Sequence, residues 1–450
     1  MGNLSSKMLS HAKKRVRDDE PIKEVFEAKK PKIDSKQLQV LDINDDCLQI
    51  VFECLDLEDL FNVAEAHSHL VPAARMVFAR RYRMKKVFLN LDLVRFIDDD
   101  CIEVRKDVAA AFFRYFGAVV SSLFINFEGQ RERAIEQSLL DHCPGTLVKF
   151  ELALCDTSNL DTIDEPFGKV EQLTITKSSL SKRLSRLYVW FPSLTTLKLI
   201  NVTSEKPEYL VAHLPQLRNL VIYNEKMTIP LATISGMLRA NPQLESLVLC
   251  CDYDADFLQS VSASLRRLIE LELWAPDDRF LCFGDDKVRF ESVETFALIA
   301  PHLRGEFVVN MPFEFTNLKE LYFDGFNEFK GQLISFIKEN HGVRQLNLVP
   351  CIDDWDDLTF ADLMSVVNSL PDLVELEFCG DTFKMDDIIQ LLMINKRLQK
   401  VRVAFIDMPH WPDFVDAIET EWTHGVYYNG DSTDVECYFF KLDRIEGGLN

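Results

Sequence analysis

The chain has 450 residues, 47% of them hydrophobic and 27% charged, with a formal net charge of −22. That composition is too apolar for a disordered protein and too charged for a membrane protein. An acidic body repels phosphate backbones, so nucleic acid is not an expected partner. The eleven scattered cysteines have no C-x-x-C or Cys/His ligand spacing and suit reduced, buried thiols.

Residues 1–37 differ from the rest: they carry ten Lys/Arg against six Asp/Glu, a charge of +4, which leaves −26 for the remainder. Without periodicity, and broken by Pro21 and Pro31, they predict a disordered basic leader. The clusters at 13–17 (Lys13-Lys14-Arg15-Val16-Arg17) and 29–32 (Lys29-Lys30-Pro31-Lys32) fit a nuclear import signal. The opening MGNLSSK also fits N-myristoylation at Gly2, where the nearby cations would supply the second signal that stable anchoring needs. A solubilising tail with neither address is the third reading. No secretory signal opens the chain, so the expected compartment is cytoplasmic, nuclear or both.

Residues 38–83 predict a helical unit. Asn44 is a good N-cap, Asp45 and Asp46 suit the helix dipole, and Leu48, Val51, Phe52 and Leu55 share one face. Asp56 caps a second helix with Leu57, Leu60, Phe61 and Ala64 on its apolar face. A third runs near Pro72 to Tyr82, with Ala74, Val77 and Phe78 inside and its arginines outside. Three helices of about 45 residues are marginal alone and need a surface to pack on.

The run from Ile43 to Leu60, INDDCLQIVFECLDLEDL, resembles the F-box, whose pattern reads roughly L-P-x-E-x-L-x-x-I-F-x-x-L-x-x-x-D-L. Asn44 stands where the family usually has proline, and the later tryptophan of the motif is missing near Leu70. The resemblance implies docking on the Skp-type adaptor of a cullin–RING ubiquitin ligase complex through Ile43, Asn44, Leu48, Val51, Phe52, Leu55 and Leu60. The other reading of these helices is a cap that seals the end of a solenoid.

Residues 84–420 are repetitive. The stretch from Ala109 to Phe127 is apolar enough to mimic a membrane span, but Arg114, Gly117, Ser121 and Ser122 interrupt it. It divides into a helix using Val108, Phe112 and Phe116, then a strand with Val120, Leu123 and Ile125 inward. That strand is one copy of an L-x-x-L-x-L pattern, with Leu replaceable by Val, Ile or Phe. Copies start at Met84, Val120, Leu147, Val170, Leu194, Leu217, Leu244, Leu268, Val293, Leu318, Val343, Leu373 and Leu398.

The steps between them lie mostly at 23–27 residues, the period of leucine-rich repeats. In each copy the first, fourth and sixth residues enter a shared core. Helical runs such as Leu231 to Leu244, Phe360 to Leu373 and Asp386 to Leu398 pack outside, and Pro192, Pro215, Pro242 and Pro371 turn the chain into the next strand. The Asn or Cys of the consensus, nine residues in, is filled only by Cys155 and Cys351.

The expected fold is therefore α/β: a leucine-rich-repeat solenoid with a parallel sheet on its concave face, preceded by a small three-helix F-box-like domain. Residues 421–450 form a C-terminal cap and tail, in which Trp422 to Asp443 alternates around Asn429-Gly430 like a hairpin.

Catalytic motifs are missing: there is no phosphate loop, nucleophile elbow or zinc helix. His67 and His69 do not share a helix face, His142-Cys143 ends a repeat helix, and Asp353 to Asp357 lacks the glycine turn and distal Glu of a calcium loop. No enzymatic activity, cofactor or metal is expected. The expected function is that of a substrate receptor in a ubiquitin ligase complex, the alternative a repeat scaffold without ligase association.

The residue after each triplet forms a ladder on the concave face: Ile200, Tyr223, Cys250, Trp274, Ile299, Asp324 and Val349. Beside it lie Glu270, Glu272, Glu320, Tyr322, Glu375 and Glu377. Tyr223, Trp274 and Tyr322 are the expected anchors for a protein target, and Glu270, Glu272, Asp324 and Glu377 would select a basic segment of it. The competing reading is that the aromatics pack on neighbouring strands.

Overall fold

The computed structural model describes residues 43–90, 101–126, 133–154, 166–180, 186–204, 206–226, 228–275, 287–299, 313–324, 330–349, 359–379, 383–405, 422–429 and 437–444. The basic leader with Gly2, Cys155, Cys351 and the run Asp353 to Asp357 lie outside these. The chain divides into two units, Met1–Asn44 and Asp45–Asn450; Ile43 and Asn44 fall in the first, and the helices and strands of the described residues fall in the second.

Three helices open the second unit: α1 (Asp45–Phe52), α2 (Leu57–Ala66) and α3 (Val71–Tyr82). Asp56 caps α2, its carboxylate accepting from the Asp59 amide at 2.8 Å. The arginines of α3 tie down the end of α1. Arg81 donates to the Leu55 carbonyl, and Arg80 pairs with Glu53. The helices find their packing surface on α4 (Lys106–Phe116), where Phe78 stacks on Phe116 with ring centroids 4.6 Å apart. Arg75 Nε also donates to the Tyr115 carbonyl at 2.8 Å.

The repeats continue as one ladder. β1 (Lys86–Asn90) and β2 (Cys101–Arg105) precede α4; β3 (Ser122–Asn126), α5 (Arg133–His142), β4 (Lys149–Ala153) and β5 (Gln172–Thr176) come after it. The next turns use little helix: β6 (Ser179–Leu180), α6 (Leu187–Trp190), β7 (Thr196–Ile200), β8 (Thr203–Ser204) and β9 (Asn219–Tyr223). Helices return with α7 (Leu231–Ala240), β10 (Ser246–Cys250), α8 (Ala255–Ser264) and β11 (Glu270–Trp274). Then come β12 (Val288–Phe290), β13 (Thr295–Ile299), β14 (Phe313–Phe315) and β15 (Glu320–Asp324). The series closes with α9 (Lys330–Glu339), β16 (Gln345–Val349), α10 (Phe360–Ser369), β17 (Glu375–Cys379), α11 (Met385–Ile394), β18 (Lys400–Phe405), β19 (Trp422–Asn429) and β20 (Cys437–Arg444).

Sixteen of these strands make one sheet in the order β2-β1-β3-β4-β5-β7-β9-β10-β11-β13-β15-β16-β17-β18-β20-β19. Pairing is parallel up to β18 and antiparallel for the last two strands. Register is kept residue for residue. Leu173, Leu197, Leu220, Leu247, Leu271, Phe296, Leu321, Leu346, Leu376 and Val401 stand side by side, all buried. The architecture is an α/β solenoid of the leucine-rich-repeat type. Each unit buries its apolar face on its neighbours, as a repeat too small for its own core must.

Several expectations need correction. Met84 is not an inward position but 92% exposed, because a turn from the Tyr82 carbonyl to the Lys85 amide delays β1 until Lys86; Val87 and Leu89 are buried as expected. β2 escapes the repeat pattern and lies outside β1 at the sheet edge, burying Ile102 and Val104. On α4 the buried side chain beside Phe112 and Phe116 is Phe113, while Val108 is only half-buried. The outer layer is not helical throughout, since β6 pairs with β8 and β12 with β14. At the C-terminal end Asn429 pairs with Cys437, so seven residues, 430–436, separate the hairpin strands instead of a two-residue Asn-Gly turn.

A fourth core position, which the L-x-x-L-x-L pattern does not contain, precedes each start by three residues and is buried in Phe167, Phe191, Leu214, Asn241, Leu265, Asn340, Leu370 and Asn395. Its carbonyl accepts from the amide of the start residue in every one of these units. Where it is Asn, the side chain caps the preceding helix. Asn241 Nδ2 donates to the Met237 and Ala212 carbonyls and Oδ1 accepts from the Leu214 amide, all at 2.8 Å. Asn340 and Asn395 donate to the Phe336 and Leu391 carbonyls in the same way.

Candidate functional site

Side chains alternate along a strand, so the first, third and fifth residues of each five-residue strand face away from the core and form three ladders across the concave face. The third ladder runs Ile200, Tyr223, Cys250, Trp274, Ile299, Asp324, Val349, as expected from the repeat register. The middle one runs Lys198, Val221, Val248, Glu272, Ala297, Tyr322, Asn347, Glu377, Arg402. The small Cys250 stands between Tyr223 and Trp274, and the small Ala297 between Glu272 and Tyr322, and that spacing shapes the site.

Tyr223 and Trp274, two strands apart, lean together over Cys250 with ring centroids 5.4 Å apart at 63°. Cys250 is 2% exposed, so it is not the replaceable outward residue that alternation alone suggests; its thiol is pushed up to about 12 by burial and then by Glu225. The Trp274 indole Nε1–H donates to the Glu272 carboxylate on the same strand. On the far side of Ala297 stands Tyr322. Its hydroxyl is held well above the usual phenol range by burial, then by Asp324, Glu377 and Glu272. Tyr223 is raised to about 12 by burial, then by Glu272, Cys250 and Glu225. Asp324 is pushed up to about 6 by burial alone.

The structure thus brings Tyr223, Glu272, Trp274, Tyr322 and Asp324 into one patch, with Glu270 and Glu320 along its first ladder. The Thr295 hydroxyl donates to Glu320 at 3.3 Å. Glu377 does not join them as a charge for a partner. It is paired with Arg402 at 3.0 Å, and Glu375 with Lys400 at 2.6 Å, because β18 supplies two cations in register with the two carboxylates of β17.

A second feature has no signature in the repeat pattern. At the other end of the face, a groove is lined by Arg83, Lys86, Ser122, Lys149, Glu151 and Gln172, among others. Lys86 pairs with Glu151 and lies 4.9 Å from the Phe88 ring and 5.3 Å from the Phe124 ring.

On α1, Leu48 and Phe52 are 1% and 4% exposed, and Leu60 of α2 is fully buried. The F-box resemblance implies that these three touch a partner, but an amphipathic helix spends its apolar face on its nearest neighbour, here α3. Val51 at 55% and Ile50 at 68% carry the exposed apolar surface of α1, and Leu55 is half-buried. Among the described residues no group of His, Cys, Asp and Glu has a geometry that could hold a metal ion, and no helix is long and apolar enough to cross a membrane.

No family model matches the chain, and comparison with curated protein sequences finds no match. Among solved structures, the chain aligns with one described as the crystal structure of the Rad7 and Elc1 complex in yeast. The alignment has 16% identity over 79% of this chain and 87% of that chain, with a TM-score of 0.38. A likeness at that level carries no functional argument.

Proposed function

We propose that the chain is a non-catalytic recognition subunit whose concave sheet holds a basic segment of a protein target. One observation carries this reading. From β9 to β16 the concave face bears Glu270, Glu272, Glu320 and Asp324 beside three aromatic rings, and β9, β10, β11, β13, β15 and β16 themselves contain no Lys or Arg to neutralise them. Carboxylates that pair with no cation among the described residues, next to Tyr and Trp faces, favour a partner's Lys or Arg through Coulomb and cation–π attraction.

The resemblance of Ile43 to Leu60 to the F-box adds the finer part of the proposal. The helices would dock a Skp-type adaptor of a cullin ligase through the exposed Ile50 and Val51, and other subunits would transfer ubiquitin to the tethered target. This chain would then act by proximity alone. The burial of Leu48, Phe52 and Leu60, and the packing of Phe78 on Phe116, favour the second reading: a repeat scaffold whose helices seal the first repeat.

Affinity capture with the full chain separates the two. Glu270→Lys with Glu272→Lys should release the target and keep the adaptor, while Ile50→Lys with Val51→Lys should release the adaptor and keep the target. If wild-type chain retains its targets without adaptor or cullin, the scaffold reading stands. If the Glu variant retains every target, the concave site is wrong.

A further inference from the structure

We infer that the concave face takes an extended partner segment of split charge, with acidic side chains over β4 to β7 and basic ones over β11 to β15. This deepens the proposed function and rests on it.

The uninterrupted register allows the charges on the face to be placed in line. On the first ladder Lys86, Ser122, Lys149, Gln172, Thr196, Asn219, Ser246, Glu270, Thr295 and Glu320 succeed one another. On the middle ladder Lys198 precedes Glu272 by three strands. Lys86 is neutralised by Glu151, and Glu103 stands apart on the edge strand β2. Lys149 and Lys198 make no ion pair among the described residues, and the nearest carboxylates further along these two ladders are Glu270 and Glu272. β9 and β10 between them present only Asn219, Val221, Tyr223, Ser246, Val248 and Cys250, with no charge at all.

The strands therefore give the face a cationic end, a middle free of strand charges and walled by the Tyr223–Trp274 pair, and an anionic end, and the turn after β9 adds Glu225 near Tyr223 and Cys250 on the anionic side of the balance. A uniformly basic ligand would meet repulsion at Lys149 and Lys198, and a uniformly acidic one at Glu270 and Glu272. Complementarity of both signs is what excludes wrong partners.

The spacing sets a ruler. Strands lie about 4.8 Å apart, so Lys198 to Glu272 spans roughly 14 Å and Lys149 to Glu270 roughly 24 Å. An extended chain rises about 3.3 Å per residue, which places the ligand's acidic and basic side chains about four to seven residues apart.

The test is fluorescence anisotropy of the full chain with labelled synthetic peptides at low salt, each made in both directions. One peptide has two Glu and two Lys separated by about five Gly/Ser residues, a second has the same charges adjacent, and a third has only the lysines. The spaced peptide should bind roughly tenfold tighter than either control. Lys149→Glu with Lys198→Glu should abolish that advantage without weakening the lysine-only peptide. Equal binding of the spaced and lysine-only peptides, or an advantage that survives in the Lys variant, overturns the inference and leaves the basic-segment reading intact. Binding of no peptide overturns both.

Discussion

Tyr223 and Trp274 meet edge to face across an intervening strand, and the residue beneath them is Cys250. The pair is a lid on a thiol. Trp274→Ala removes an aromatic contact of about 0.5–1.5 kcal/mol and opens Cys250 to water. Alkylation of Cys250, followed by peptide mass spectrometry at neutral pH, should accelerate in the variant. Unchanged labelling would mean that something other than Trp274 covers the thiol.

Asp324 makes stability depend on pH. Its carboxyl is held up to about 6 against an ordinary 3.8, so between about pH 4 and 6 the folded chain keeps a proton that the unfolded chain has released. Stability therefore falls as pH rises through that window and stays low above it. Ile299 and Val349 flank it in register and add no charge, and Tyr322 lies between it and Glu272 and Glu377. Asp324→Asn should raise stability at pH 7 by about 1–2 kcal/mol, after allowance for partial exposure, and change nothing near pH 3. Thermal melts at the two pH values check the sign. A cation delivered by a partner would favour the ionised form, so target affinity should rise from pH 5 to pH 7.

The inward and outward positions of one repeat should separate cleanly. Leu247→Ala leaves a cavity in a fully packed ladder and should cost about 2–5 kcal/mol, whereas Glu270→Ala, on an exposed position, should change stability by less than about 0.5 kcal/mol. Chemical denaturation of the two variants measures the difference, and equal losses would contradict the register.

Asn241 should prove as valuable as a core leucine. Replacing it with Ala strands the Leu214 amide and two carbonyls in a buried setting, at roughly 2–4 kcal/mol. Asn395→Ala, which strands only the Leu391 carbonyl among the bonds described, should cost less. The ranking, read from urea midpoints, is the expected outcome.

The solenoid was legible because its signal is redundant: leucines such as Leu220, Leu247 and Leu271 recur at one spacing, and any few define the period. Asn241 was invisible to the same reading because an Asn at a core position breaks the hydrophobic pattern. The regularity lies in its place, three residues before each start. β2 was missed for a related reason, since it sits between repeats and repeats nothing. On the concave face, register gave the partners of Tyr223 and Trp274. Whether a side chain stands free depends on what its cross-strand neighbours are: the small Cys250 lies buried between Tyr223 and Trp274, and Glu377 is paired with Arg402 in register on the next strand.

Identical register from one strand to the next makes the length of this protein editable in whole units. Excising Ser246 to Ile269 would set Leu220 beside Leu271 and Ile222 beside Leu273, so the ladder would close without a slip. The face would shorten by one step of about 4.8 Å, bringing Lys198 that much nearer Glu272. Such a chain would be a caliper with one notch removed, and a partner that measures the distance between its charges would feel the change while the core did not.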